Sequence, residues 1–384
     1  MFNFSYQNPT RIVFGKDQIS ELANLLPKDK KILLIYGGGS IKRNGVYQQV
    51  VKALADVSFI EFAGVEPNPA FETLMSATAL VKAQGIEYIL AVGGGSVIDG
   101  AKFVAAAAVF NGNPWDILAK GAKVTTAVPL GCVLTLPATG SESNGNSVVT
   151  RYETQQKLAF SSELVFPQFA ILDPTVTYSL PPKQVANGVV DAFVHVMEQY
   201  LTYPVNAPVQ DRFAEGLLQT LIEEGPKALA EPENYDVRAN VMWAATMALN
   251  GLIGQGVPQD WATHMIGHEI TALYGLDHAQ TLAIVLPALM QQQRATKGAK
   301  LLQYGQRVWQ LQHQDKERLI DEAISHTRQF FERMGVPTRL ADYGIKADAV
   351  DKLVDKLVQH KMIKLGEHRD ITPEVSRSIL QRAV

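Results

Sequence analysis

The segment VVDAFVHVMEQY sets Asp191 and His195 four residues apart, so in a helix both side chains project from one face. Further on, THMIGHEITALYGLDHAQ repeats that spacing with His264 and His268 and adds His278 ten residues later. Half of the eight histidines fall in these two apolar segments; the others lie in polar sequence from His313 onward. One carboxylate with two or three imidazoles is a donor set for Zn²⁺ or Fe²⁺, whereas Ca²⁺ and Mg²⁺ prefer oxygen ligands. Taken alone, Asp191 and His195 also suit an ordinary pair on a helix surface or near its N-terminus. That reading weakens for three histidines and an aspartate on neighbouring apolar helices, because unpaired buried polar groups are costly. The spacing is not a zincin motif, since His268-Glu269 is followed by Ile270, Thr271 and Ala272, with no histidine at the required place. Nor does TGSESNG form a nucleophile elbow, because Glu142 stands where serine is needed.

A second chemistry is suggested by Gly-Gly-Gly-Ser, which occurs at residues 37–40 after ILLIY and at 93–96 after a second apolar run, YILAV. Glycine-rich turns at strand ends let backbone N–H groups approach phosphate. Neither copy completes the dinucleotide fingerprint, as Lys42 and Ile98 occupy the place of its third glycine. Each alone suits a tight turn as well as a phosphate cradle; two copies at the ends of two expected strands favour nucleotide binding. Ser96 and Asp99 fall at a helix start, and Gly100-Ala101 would permit close helix–sheet packing. No G-x-x-x-x-G-K-[ST] occurs, which disfavours ATP held by a P-loop.

The elements that must position these residues come in two styles. Up to about Pro182, short apolar runs at 31–36, 88–92, 132–136 and 169–173 alternate with helical stretches, the pattern of a parallel α/β sheet. Beyond it, helical periodicity covers 185–201, 209–224, 237–249, 261–274 and 317–334, and a last helix opens with Thr372 as N-cap and Pro373 in the first turn. Two domains are expected: residues 1–182, an α/β dinucleotide-binding domain, and residues 183–384, an all-helical metal-binding and substrate domain. Composition agrees, with 47% hydrophobic and 19% charged residues in 384, enough apolar material for buried cores. A net charge of −3 with no dense Lys/Arg block argues against nucleic acid as a partner. No run reaches the length of a membrane span, and the opening MFNFSYQNPTRIVFGKD lacks signal-peptide regions. The single Cys132 rules out an internal disulfide and fits a reducing cytoplasm; within GCVLTLP it reads as a buried strand residue rather than a nucleophile.

GGGSVIDGAK (93–102), LPATGSESN (136–144), Asp191-x-x-x-His195 and the stretch 264–278 carry a resemblance. From end to end the chain resembles the iron-containing (group III) alcohol dehydrogenase family. Within it, the chain is similar to the bacterial NADPH-dependent aldehyde reductases and butanol dehydrogenases, which are cytoplasmic homodimers. The resemblance implies a Rossmann-like N-terminal domain, an all-α C-terminal domain in the dehydroquinate synthase-like arrangement, and a catalytic metal in the cleft between them. It matches Asp191, His195, His264 and His278 to the metal ligands, and His268 to a non-ligand histidine near the nicotinamide. Gly94, Gly95 and Ser96 match the pyrophosphate loop, and Asn68, Asp99, Thr135, Thr139, Asn144 and Lys157 match positions lining the cofactor. On residue type alone the threonines also suit strand and loop hydrogen bonding, and Lys157 a solvated charge.

Family members that prefer NAD tend to carry an aspartate where this chain has Gly37, Gly38, Gly39 and Ser40. Here the glycines leave room for a 2′-phosphate, their N–H groups and the Ser40 hydroxyl can donate to it, and Lys42 or Arg43 adds positive charge. The other reading of this stretch is a tight turn. The expected activity is reversible reduction of short-chain aldehydes by NADP(H) with one divalent metal, Fe²⁺ or Zn²⁺, with His268 or water relaying the proton. The alternatives are a sister activity, such as a diol or glycerol dehydrogenase or a metal-dependent synthase, and a non-catalytic redox sensor that binds nucleotide or metal. The complete ligand set argues against the sensor.

Overall fold

Eight strands form before residue 173: β1 (Arg11–Phe14), β2 (Ile32–Tyr36), β3 (Phe59–Phe62), β4 (Tyr88–Gly94), β5 (Leu130–Leu136), β6 (Asn146–Arg151), β7 (Gln156–Ser161) and β8 (Phe169–Leu172). The computed structural model describes all of residues 1–384. Six strands make one wholly parallel sheet of order β1-β8-β5-β4-β2-β3, while β6 and β7 pair as an antiparallel hairpin. The central strands are apolar at nearly every position because both faces of the sheet are covered. On β2 and β4, Leu33, Ile35, Ile89 and Ala91 join one core, and Ile32, Leu34, Tyr36, Leu90 and Val92 join the other. Cys132 is fully buried on β5, where burial pushes its thiol well up, as befits a strand residue and not a nucleophile.

The sheet explains what the repeated tetrapeptide does. β2 and β4 are parallel neighbours, with Tyr36 opposite Val92, so the two glycine turns leave the same edge side by side. After the first, Gly39 sits at φ +89° and caps the short helix Ser40–Arg43. After the second, the helix Gly95–Ala107 starts directly, with Ser96 in its first turn. Gly100 does permit close packing, but against another helix rather than the sheet: a Cβ there would lie 2.8 Å from Leu74 of the helix Phe71–Gln84.

Two compact units are present. One comprises Gln7–Leu180 with Glu233–Met242 and holds the sheet; the other comprises Met1–Tyr6, Pro181–Pro232 and Trp243–Val384. No signal in the sequence assigns the first six residues, or 233–242, to the unit they join. The second unit is built on helices that include Pro182–Tyr200, Pro208–Ala230, Ala262–Tyr274, His278–Gln292, Arg294–Arg307, Lys316–Arg333 and Pro373–Arg382. Pro208 and Pro373 stand in the first turns of their helices, where a missing N–H costs nothing. Gly275, at φ +69°, ends one helix, and Asp277 opens the next through a capping box with Gln280. The Thr372 hydroxyl caps the last helix by accepting from Val375 N at 3.4 Å.

Candidate active site

In the helical unit, Asp191 and His195 lie one turn apart on Pro182–Tyr200, and His264 lies in the first turn of Ala262–Tyr274. One ligand atom from each comes within 4.8 Å of the others, and all three side chains are buried. The His195 and His264 rings stack with centroids 4.8 Å apart. Asp191 Oδ1 is buried and has no hydrogen-bond partner; His195 Nε2 and His278 Nε2 stand 3.6 and 3.7 Å from it, beyond hydrogen-bond reach. His278, the first residue of its helix, is more exposed than the others and lies outside that tight trio, although its ring is 5.1 Å from His264 by centroids. His268 is buried beside it, 5.4 Å from His278 and 6.3 Å from His264 between ring centroids. An oxygen and converging imidazole nitrogens, with a buried carboxylate oxygen unused by any hydrogen bond, fit a divalent transition-metal ion.

One residue of this site was not anticipated from the sequence. Glu198 stands three residues after His195 on the same helix, accepts from Thr263 N at 2.6 Å through Oε1, and pairs with His264 Nδ1 through Oε2. Such a carboxylate fixes the imidazole's tautomer and ring plane, leaving Nε2 as the ligand atom. Burial, then the Asp260 carboxylate, push the Glu198 carboxyl well above its ordinary range, and the Thr263 N–H opposes them. Asp260 in turn caps the His264 helix, accepting from Ala262 N at 2.9 Å, and pairs with buried Lys297 at 2.8 Å. The available signal was the helical face itself: Asp191, His195 and Glu198 fall at i, i+4 and i+7.

In the sheet unit, the residues matched to cofactor positions gather around the second glycine turn. Asn68, at φ +56°, accepts from Lys157 Nζ at 2.8 Å through Oδ1, and its N–H donates to Ser96 Oγ at 3.3 Å. Lys157 is buried, which removes the reading of it as a solvated surface charge. Thr139 lies directly over Gly95, where any Cβ would collide with its side chain. Thr135 is buried on β5, and Asn144 follows the short 3₁₀ turn Ser141–Ser143. Asp99 is engaged through both oxygens, accepting from Ser141 Oγ at 2.5 Å and Val148 N at 2.9 Å, so its visible task is to brace that loop.

At the first turn, a Cβ on Gly38 would meet nothing within 4 Å, whereas one on Gly37 would meet Val65 O at 3.2 Å. Lys42 is not a free charge here: its Nζ lies 3.4 Å from Glu61 and 4.6 Å from the centre of the Tyr47 ring. The Glu61 carboxylate also accepts from Tyr36 and Tyr47 hydroxyls at 2.6 and 2.5 Å. Glu61 on β3 therefore partly offsets the positive charge that Lys42 brings to this turn.

Comparison with known proteins agrees with both halves. Residues 9–174 match the family described as iron-containing alcohol dehydrogenase, and residues 185–384 match the C-terminal domain of the Fe-containing alcohol dehydrogenase family. The chain is 61% identical to the NADPH-dependent aldehyde reductase YqhD of Escherichia coli over 386 residues, covering all of both chains. It is 42% identical to the probable NADH-dependent butanol dehydrogenase 1 of Bacillus subtilis, again over the whole of both. The crystal structure of E. coli YqhD superposes with a TM-score of 0.99, covering 100% of this chain and 99% of that one. A parallel sheet with paired glycine turns, a helical unit with an aspartate–histidine cluster, and full-length similarity lead to one conclusion: the chain belongs to the iron-containing alcohol dehydrogenase family.

Proposed function

We propose that the protein reduces short-chain aldehydes to alcohols with NADPH, reversibly, using one divalent metal, Fe²⁺ or Zn²⁺. The observation that carries this reading is Asp191 Oδ1, buried without a hydrogen bond beside the imidazoles of His195 and His278. An uncompensated buried carboxylate oxygen is unfavourable unless a cation meets it. Asp191, His195, His264 and His278 would hold the ion, which when bound supplies Lewis-acid polarisation of a carbonyl oxygen. The identity with a relative named as an NADPH-dependent aldehyde reductase supports both the coenzyme and the substrate class.

The chain's own residues do the remaining work. Glu198 holds the His264 ring in one orientation. His268, buried among the same rings but outside the ligand trio, holds a proton for the product oxygen and takes it back in the reverse direction. Gly94, Gly95 and Ser96 offer backbone and hydroxyl donors to the pyrophosphate, and Asn68, Thr135, Thr139, Asn144 and Lys157 line the rest of the coenzyme surface. Gly37, Gly38, Gly39 and Ser40 receive the 2′-phosphate.

We further place the protein in the cytoplasm as a homodimer. No helix is long and apolar enough to cross a membrane, and Cys132, the single cysteine, is buried and in no disulfide. Phe2 and Phe4 leave half their surface exposed near the N-terminus, an apolar strap that a second copy would cover. A sedimentation mass of one chain would exclude the dimer.

The direct test is metal analysis of protein purified without added metal, followed by NADPH consumption over a panel of aldehydes of increasing chain length. About one Fe²⁺ or Zn²⁺ per chain and aldehyde-dependent NADPH oxidation are expected. Full activity after exhaustive chelation would overturn the mechanism.

A further inference from the structure

Lys102 is the only lysine with no exposed surface in the sheet unit, and neither the metal cluster nor the glycine turns account for it. It lies on the helix Gly95–Ala107, three residues after Asp99 and so on the same face. Its Nζ donates to Ser141 Oγ at 2.8 Å, to Asn144 Oδ1 at 3.1 Å and to the Asn146 carbonyl at 2.8 Å. Ser141 passes the contact on, donating to Asp99 Oδ1 at 2.5 Å. The other Asp99 oxygen accepts from Val148 N at 2.9 Å, and Ser147 Oγ donates to the Asp99 carbonyl at 2.8 Å. One charged pair on a single helix therefore clamps residues 141–148. That segment follows Thr139, whose Oγ1 accepts from Ser141 N at 3.2 Å and whose side chain covers Gly95.

Three acceptors converge on Nζ, and an ammonium has three protons to give them. A neutral amine has two, so loss of the charge leaves one of the three acceptors without its donor. Asn144 is locked by the same arrangement: Oδ1 also accepts from Asn146 N at 2.9 Å, while Nδ2 donates to Gly140 O at 2.8 Å. An amide whose oxygen takes the ammonium cannot flip.

We propose that Lys102, as an ammonium, is the positioning residue that holds the 139–144 loop in the shape that receives the coenzyme. This rests on the reading above that Thr139 and Asn144 line that surface. Lys102 itself touches no ligand and acts through Asn144 and Ser141.

Titration gives the role a signature that mere packing lacks. Burial pulls the Lys102 ammonium down to about 8, against the carboxylates of Asp99 on its own helix and Glu142 on the 3₁₀ turn, with Cys132 on β5 also facing it. The Lys157 ammonium on β7 also acts on Asp99, opposing the burial that raises its carboxyl. The charged form is the one that binds coenzyme well, so affinity is fully present below that value and lost above it.

The experiment measures NADPH dissociation constants by fluorescence titration of the metal-loaded enzyme at several pH values. For the unmodified enzyme, Kd should rise about tenfold between roughly pH 7 and pH 9. Lys102→Met should raise Kd about tenfold or more at neutral pH and abolish the rise, while the metal content stays unchanged. Ser141→Ala, which cuts the relay to Asp99 without removing the lysine, should weaken binding in the same direction and serves if Lys102→Met fails to fold. A flat profile in the unmodified enzyme, or a Lys102→Met protein that binds as the parent does or keeps its pH dependence, overturns the proposal. Asn144→Ala separates the two levels. If that variant binds NADPH normally, the loop is not a coenzyme surface and the underlying reading fails. If it weakens binding while Lys102→Met does not, only the role of Lys102 fails.

Discussion

Glu198 and His268 both lie beside the metal ligands, yet the geometry gives them opposite consequences on substitution. Glu198 bonds His264 Nδ1 and accepts from Thr263 N, so it acts on the ligand and thereby on the ion. Glu198→Gln should therefore lower metal affinity about 10- to 100-fold, with activity restored by excess metal. His278, although outside the tight trio, brings Nε2 to 3.7 Å from Asp191 Oδ1, whereas the family resemblance matches His268 to a non-ligand, so His268→Ala should keep stoichiometric metal and lose turnover. Asp191→Ala, His195→Ala, His264→Ala and His278→Ala should lose both together. Metal content and NADPH oxidation measured on the same preparations decide among these. Metal loss in His268→Ala equal to that of the ligand variants would make His268 a ligand, and an unaltered metal affinity in Glu198→Gln would show that the carboxylate does not orient His264. Of this set, the aspartate and histidines stood out by residue type and spacing, while the division into ligands and His268 came only from the family resemblance. Glu198 was not, because one glutamate in VMEQY resembles any helical surface residue until burial and the His264 helix bring its partner to it.

At the scale of elements, the two glycine turns look identical in sequence and differ in structure. The second runs straight into a 13-residue helix beneath Thr139, while the first passes through Gly39 at φ +89° into a helix of 4 residues. This asymmetry makes one of two otherwise similar tests informative. At Gly38 a side chain has open space and no positive φ, so Gly38→Asp should act through charge and reverse the preference from NADPH to NADH. At Gly39 the left-handed backbone penalises any side chain, so a loss there would mix strain with repulsion. Comparing kcat/KM for the two coenzymes on one aldehyde, in the parent and in Gly38→Asp, is the measurement. Equal values in the parent, or no change of preference in the variant, would mean that this turn does not read the 2′-phosphate. The strands carrying the turns were legible because burial on both faces makes them continuous apolar runs. β1 and β3 at the sheet edges and the β6–β7 hairpin were not, since each contains charged or polar residues, whereas β8, as short as β1, is apolar throughout.

For the whole molecule, the division of labour between the units is itself testable. Every proposed metal ligand lies in the helical unit, and every proposed coenzyme residue lies in the unit of the sheet. The change of style near Pro182 was visible in the sequence, as strand-like runs give way to capped helices. The return of 233–242 to the sheet unit was not, because the helix Tyr235–Ala248 spans the division and only tertiary contact assigns its first half. A ligand stabilises the unit that binds it in the folded state, by about 2.7 kcal/mol at a hundred times its dissociation constant. For units of this size that corresponds to a shift of roughly 5–10 °C in the melting transition. Calorimetry of the chelated protein should thus show the helical unit melting lower, with restored metal raising that transition alone and NADPH raising the other. Asp191→Ala should abolish the metal-induced shift and keep the shift caused by NADPH. If metal moves only the transition that NADPH moves, while Asp191→Ala leaves that shift intact, the ion is bound by residues other than the Asp191–histidine cluster.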